Sequence, residues 1–125
     1  MNDEQYRDHC LQLLDRFAVL MDKESSHTSE GDPLRELAQG IAALDGENIY
    51  DDAPALVARL FASCPHIAPA FPRELLWFIG GDCLHYMPDE ELDCFQELDE
   101  LRAGAAAAGE VLDYQEAKAK LLKLQ

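Results

Sequence analysis

Pro88-Asp-Glu-Glu-Leu-Asp-Cys-Phe-Gln-Glu-Leu-Asp-Glu-Leu101 holds seven carboxylates and no base. Within it Leu92, Phe95, Leu98 and Leu101 recur at three-residue steps, close to the turn of an α-helix. One face of that helix must bury, and the other then presents charge without compensation. Proline leads the segment and acids follow at once, an order that suits the positive end of a helix dipole. Asp89, Asp93, Glu97 and Glu100 line one side, and like charges four apart destabilise a helix by ~0.2–0.5 kcal/mol per pair.

The same period runs through most of the chain, and no stretch of strand length alternates apolar with polar. A first helix is predicted from about Asp3 to Met21, with Tyr6, Cys10, Leu13, Leu14, Phe17, Leu20 and Met21 inward. Residues 23–31, rich in Ser, Glu and Thr, read as an exposed flexible loop. Asp32 caps a second helix with Pro33 at its first position, and Leu34, Leu37, Ile41 and Leu44 make its stripe up to Asp45-Gly46. A third starts at Asp51 or Asp52, with Pro54 in its first turn and Leu56, Val57, Leu60 and Phe61 inward. Pro65, Pro69 and Pro72 predict a rigid extended connection through Phe71. Residues 104–112 form an Ala/Gly-rich joint, and Asp113 with Glu116 opens a last helix in capping-box spacing. The expected fold is all-α: one acidic domain over residues 1–125, a compact bundle of five or six helices.

At its centre the sequence places a buried helix around residues 73–86. On a 100° wheel Phe78, Leu75, Tyr86, Ile79, Cys83 and Leu76 share one arc, while Trp77 and Leu84 lie opposite. A helix apolar on all sides is enclosed by its neighbours. Gly80 and Gly81 cost about 1 kcal/mol each inside a helix, so close packing, a kink or a ligand groove should offset them. Asp82 falls within the apolar arc and His85 follows three residues on. They are expected as a buried polar pair, since an unpartnered buried carboxylate costs several kcal/mol. The structural reading is a hydrogen bond, and the functional one an acid/base pair in a cleft.

Composition bounds the partners. The 125 residues carry 25 Asp+Glu against 10 Lys+Arg, a formal charge of −15. That balance argues against direct binding to nucleic acid or to an anionic membrane, because phosphate contacts need clustered cations. A hydrophobic fraction of 48% is that of a folded chain. The acidic start has no apolar signal core, and the longest apolar run, residues 75–81, is far below the ~20 of a membrane span. A cytoplasmic setting is expected, with Cys10, Cys64, Cys83 and Cys94 as free thiols.

Two Cys-x-His steps, Cys64-Pro-His66 and Cys83-Leu-His85, offer a ligand set that zinc takes. On a helix, however, residues two apart point about 200° from each other, so zinc is the lesser reading. An enzyme gathering Asp82, His85, Cys83 and His66 is the alternative in the catalytic class. No P-loop, dinucleotide fingerprint, zinc-protease or nucleophile-elbow motif is present, and no cofactor is expected. The acidic helix instead suggests a non-enzymatic regulatory protein. It would dock on a basic protein partner through Asp89, Asp93, Glu97 and Glu100, with Trp77 and Tyr86 as aromatic anchors. A narrower form is mimicry of nucleic acid, with carboxylates standing in for phosphates. The bland reading of the same face is solvation.

Overall fold

A computed structural model of the chain describes residues 2–29 and 31–123. Among them are six α-helices, two short 3-10 segments and no strand. The helices are α1 (Asp3–Ser25), α2 (Pro33–Ala42), α3 (Ile49–Ser63), α4 (Arg73–Ile79), α5 (Asp89–Ala107) and α6 (Tyr114–Lys123). The 3-10 segments are Ala68–Ala70 and Gly81–Tyr86. Among the described residues no helix is long and apolar enough to cross a membrane.

Local signals set most helix starts. Asn2 accepts from the Gln5 amide at 2.8 Å while the Gln5 side chain accepts from the Asn2 amide at 2.9 Å, a reciprocal cap for α1. Asp32 accepts from the Leu34 amide at 2.8 Å, with Pro33 in the first turn of α2. The Asp113 carboxylate accepts from the Glu116 amide at 3.1 Å at the start of α6. Helix α1 outruns its expected end at Met21. Ser25 is buried and its hydroxyl donates to the Asp22 carbonyl at 2.9 Å, so the predicted loop loses its first three residues to the helix. Helix α3 begins at Ile49 rather than at Asp51 or Asp52. Asp45 accepts from the Glu47 and Asn48 amides at 2.8 and 2.9 Å, a turn that starts the helix early.

The core is continuous. Cys10, Leu14, Phe17 and Met21 of α1 meet Leu37 and Ile41 of α2, Val57 and Leu60 of α3, and Leu75 and Leu76 of α4. Gly40 of α2 lets α3 approach closely: a methyl there would stand 2.7 Å from a Leu56 methyl. Phe95 and Leu98 of α5 close the core on another side.

Two expectations about the proline-rich middle need correction. Residues 65–71 are not extended. Ile67 is buried, its amide donates to the Cys64 carbonyl at 2.9 Å, and a 3-10 turn follows. Proline's fixed φ suits such turns as well as extended chain. Nor is 73–86 one helix. Gly80 has φ +71 and ψ −154, and Gly81 has φ +54, so α4 stops at Ile79 and the chain turns into the 3-10 segment. The register inferred on a regular wheel is lost there. Cys83 stays buried, but Asp82 and His85 both turn to solvent, so no buried polar pair forms between them.

Gly80 occupies a region essentially reserved for glycine, whereas Gly104 sits inside α5 with open space around its Cα. Gly80→Ala should lower the unfolding free energy in urea by about 1–3 kcal/mol. Gly104→Ala should raise it by about 0.5–1 kcal/mol. Equal effects of the two would contradict the assigned break.

Candidate functional site

The residue that organises the polar interior is one the sequence pattern did not single out. Glu74 lies in the first turn of α4 with its side chain 1% exposed. Burial of a bare carboxylate in the core of so acidic a chain would be costly, so it must collect donors. Three converge on it. His9 Nε2 from α1 stands 2.9 Å from Oε1, a contact that a carboxylate makes with a protonated ring nitrogen. Lys118 Nζ from α6 donates to the same oxygen at 3.0 Å, and the Tyr114 hydroxyl from α6 donates to Oε2. The Tyr6 ring packs edge-on against Tyr114 with centroids 5.5 Å apart.

The electrostatics follow from this packing. Burial, the largest influence, would by itself raise the Glu74 carboxyl. The bonds from Tyr114 and His9 and the Lys118 ammonium outweigh it and hold the group below its usual 4.5. Burial, then the hydrogen bond to Glu74 and the charge of that carboxylate, push the Tyr114 hydroxyl up. Burial also drives the Cys10 thiol up to about 12, with Glu74 adding to the effect. Cys64, Cys83 and Cys94 are raised too, burial again leading. None of the four thiols has the depressed pKa of an activated nucleophile.

Around this centre the acids of α5 divide by side. Glu91 receives Arg73 Nε at 3.0 Å and Nη2 at 2.8 Å, and Arg73 also donates to the Tyr86 carbonyl at 2.8 Å. Asp99 accepts from Trp77 Nε1 at 3.1 Å and lies 3.6 Å from Arg102, which also binds Asp3 and covers the Tyr6 ring at 4.6 Å. Glu91 and Asp99 thus fasten α5 to α4, and Arg102 of α5 ties it to Asp3 and Tyr6 of α1. Asp89, Asp93, Glu97 and Glu100 point the other way, all exposed, and none forms an ion pair among the described residues. A side-chain amide, Gln96, reaches Glu100 at 3.3 Å.

The other residues singled out from sequence do not converge. Cys64 and Cys83 are buried while His66 and His85 are exposed, and no group of three metal-ligating side chains gathers among the described residues. Asp82 joins His85 in solvent. The four-residue catalytic or zinc site therefore does not assemble, because the Gly80-Gly81 break and the turns after Pro65 send thiols and imidazoles opposite ways. Trp77 is half-buried, stacked on Phe95 with centroids 6.1 Å apart, and committed to Asp99. Tyr86 keeps 37% exposure and leans on Phe61 at 4.5 Å. A cleft of about 220 Å³ opens beside Glu74, and the cations on its wall, Arg73 and Lys118, are already paired with Glu91 and Glu74.

A family model described as PA2817-like matches residues 2–125, and the chain belongs to that family. No curated protein and no solved structure matches it.

Glu74→Gln removes the charge that three donors face. It should cost about 2–3 kcal/mol in urea unfolding at neutral pH, below the ~3–5 of a fully buried pair because His9 and Lys118 reach water. Glu36→Gln, in the exposed pair with Arg59, should change stability by less than about 0.5 kcal/mol. A carboxyl lowered by folding stabilises above its unfolded value and loses that contribution as pH falls through the folded one. The gap between wild type and Glu74→Gln should therefore be full above 4.5 and shrink below it. A gap that widens in acid would contradict the charge assignment.

Proposed function

We propose that this chain is a non-enzymatic docking protein whose α5 face receives a basic protein partner. The observation that carries the reading is the division of acids on one helix. Glu91 is paired with Arg73 of α4, and Asp99 is engaged by Trp77 of α4 and by Arg102 of α5 itself, while Asp89, Asp93, Glu97 and Glu100 stand exposed without an ion pair among the described residues. Their mutual repulsion is a standing local cost of ~0.2–0.5 kcal/mol per i,i+4 pair, which a partner's lysines and arginines would relieve. Such a face accelerates encounter and selects the sign of the partner more than it sets final affinity. Tyr86, near the start of α5, supplies partly exposed aromatic surface. The raised thiols and the scattered His66, His85 and Asp82 lend no support to catalysis.

The test is affinity capture from native extract with the wild-type chain and with Asp89→Asn, Asp93→Asn, Glu97→Gln and Glu100→Gln combined. All four positions are exposed, so the variant should fold, with a stability within about 1 kcal/mol of wild type as relieved repulsion offsets the lost first-turn acid. Basic proteins retained by wild type should be lost by the variant and released by high salt, since exposed charges are screened beyond ~10 Å at 0.1 M. Displacement of such a protein by free DNA or RNA would select the mimicry form. An unchanged captured set with the variant would overturn the docking reading.

A further inference from the structure

The row Asp89, Asp93, Glu97 advances along α5 in steps of four, and the next member of that row is Leu101. Leu101 is 42% exposed, although Leu98, one turn before it, is fully buried. It forms one wall of a groove of about 330 Å³ between α5 and α6, with Leu112, Ala117 and Leu121 on the other side and Asp113, Glu116 and Lys120 at the rim. Lys120 is held by Glu116 at 3.1 Å, so that cation of the rim is spent internally. An apolar slot thus opens where the unpaired carboxylates end, with more acid on its far edge.

We propose that this groove seats a basic amphipathic segment of the partner. One leucine-sized side chain enters among Leu101, Leu112 and Leu121, and lysines or arginines to either side meet Asp93 and Glu97 on α5 and Asp113 just before α6. The proposal rests on the docking reading of α5 and deepens it by naming the anchor that charge alone lacks. Trp77 cannot serve, being stacked on Phe95 and bonded to Asp99. Charge decides the occupant. A second copy would bring a chain of net charge −15 and the same acidic rim against itself. A cationic amphipathic segment satisfies both the slot and its edges, the helix-in-groove mode of recognition.

The probe is a synthetic 18-residue peptide with lysines on one helical face and leucines on the other, titrated into methyl-labelled protein and followed by NMR. The methyl signals of Leu101, Leu112 and Leu121 should shift together. Affinity should fall ten-fold or more with Leu101→Ser, or with a peptide whose leucines are replaced by serine, as expected when a buried leucine contact is lost. Both changes are made at exposed or external positions, and the amide spectrum of Leu101→Ser should stay that of the wild type.

Equal binding by Leu101→Ser and by the serine peptide would overturn the groove while leaving charge docking intact. Loss with Leu101→Ser but none with Asp93→Asn plus Glu97→Gln would keep the slot and overturn the acidic-face reading. Concentration-dependent dimerisation abolished by Leu101→Ser would make the groove a self-association seat and overturn the partner proposal. So would absence of any peptide-induced methyl shift.

Discussion

A buried carboxylate in a chain already rich in negative charge survives only if its donors stay in place, and Glu74 imposes that requirement on three helices. His9 fixes its distance to α1, while Tyr114 and Lys118 tie it to α6. Helix α6 has modest apolar cover of its own: Tyr114 is buried, but Ala117, Leu121 and Leu122 are only partly so. The polar centre therefore gives α6 its register against the body. Its far end is also linked to α5, where the Cys94 thiol donates to the Leu121 carbonyl at 3.5 Å. With α6 in that register, the strip between α5 and α6 becomes a groove rather than a sealed seam.

Negative charge then does different work at different depths. At the centre one carboxylate is ionised and fully engaged. On the flanks of α5, Glu91 and Asp99 act as clamps, through Arg73 and through Trp77 and Arg102. Most of these clamps are partly exposed, so each contributes little by itself, and together they orient α5 more than they stabilise it. Arg73 and Arg102 are engaged on the flanks and Lys118 at the centre, and none of the described cations reaches the outer acids of α5. The outer acids of α5 thus form one uncompensated row on a positioned helix.

How much of this was legible in the sequence depends on how local each signal is. Starts such as Asp32-Pro33, Pro88 and Asp113 with Glu116 are decided by neighbouring residues, and they lie where the pattern puts them. The outward turn of Asp89, Asp93, Glu97 and Glu100 follows from period alone and was legible too. The reading of Asp82 and His85 failed because a helical wheel assumes unbroken register, and twin glycines with positive φ break it. Glu74 stayed invisible for another reason. On the wheel it lies beyond the edge of the apolar arc, and its burial is made by partners 40 to 65 residues away. The one available hint was an acid in the first turn of the most apolar segment, and that position is ordinary for any helix.

The account stands on Glu74 being ionised in the folded protein. A ¹³C NMR titration of its side-chain carboxyl reads this directly. The account predicts a midpoint below the usual 4.5, with chemical-shift changes at Tyr114 and Lys118 of α6 following the same curve. A midpoint above 4.5 would mean that burial prevails over the three donors and that a neutral acid sits at the centre, which would contradict it.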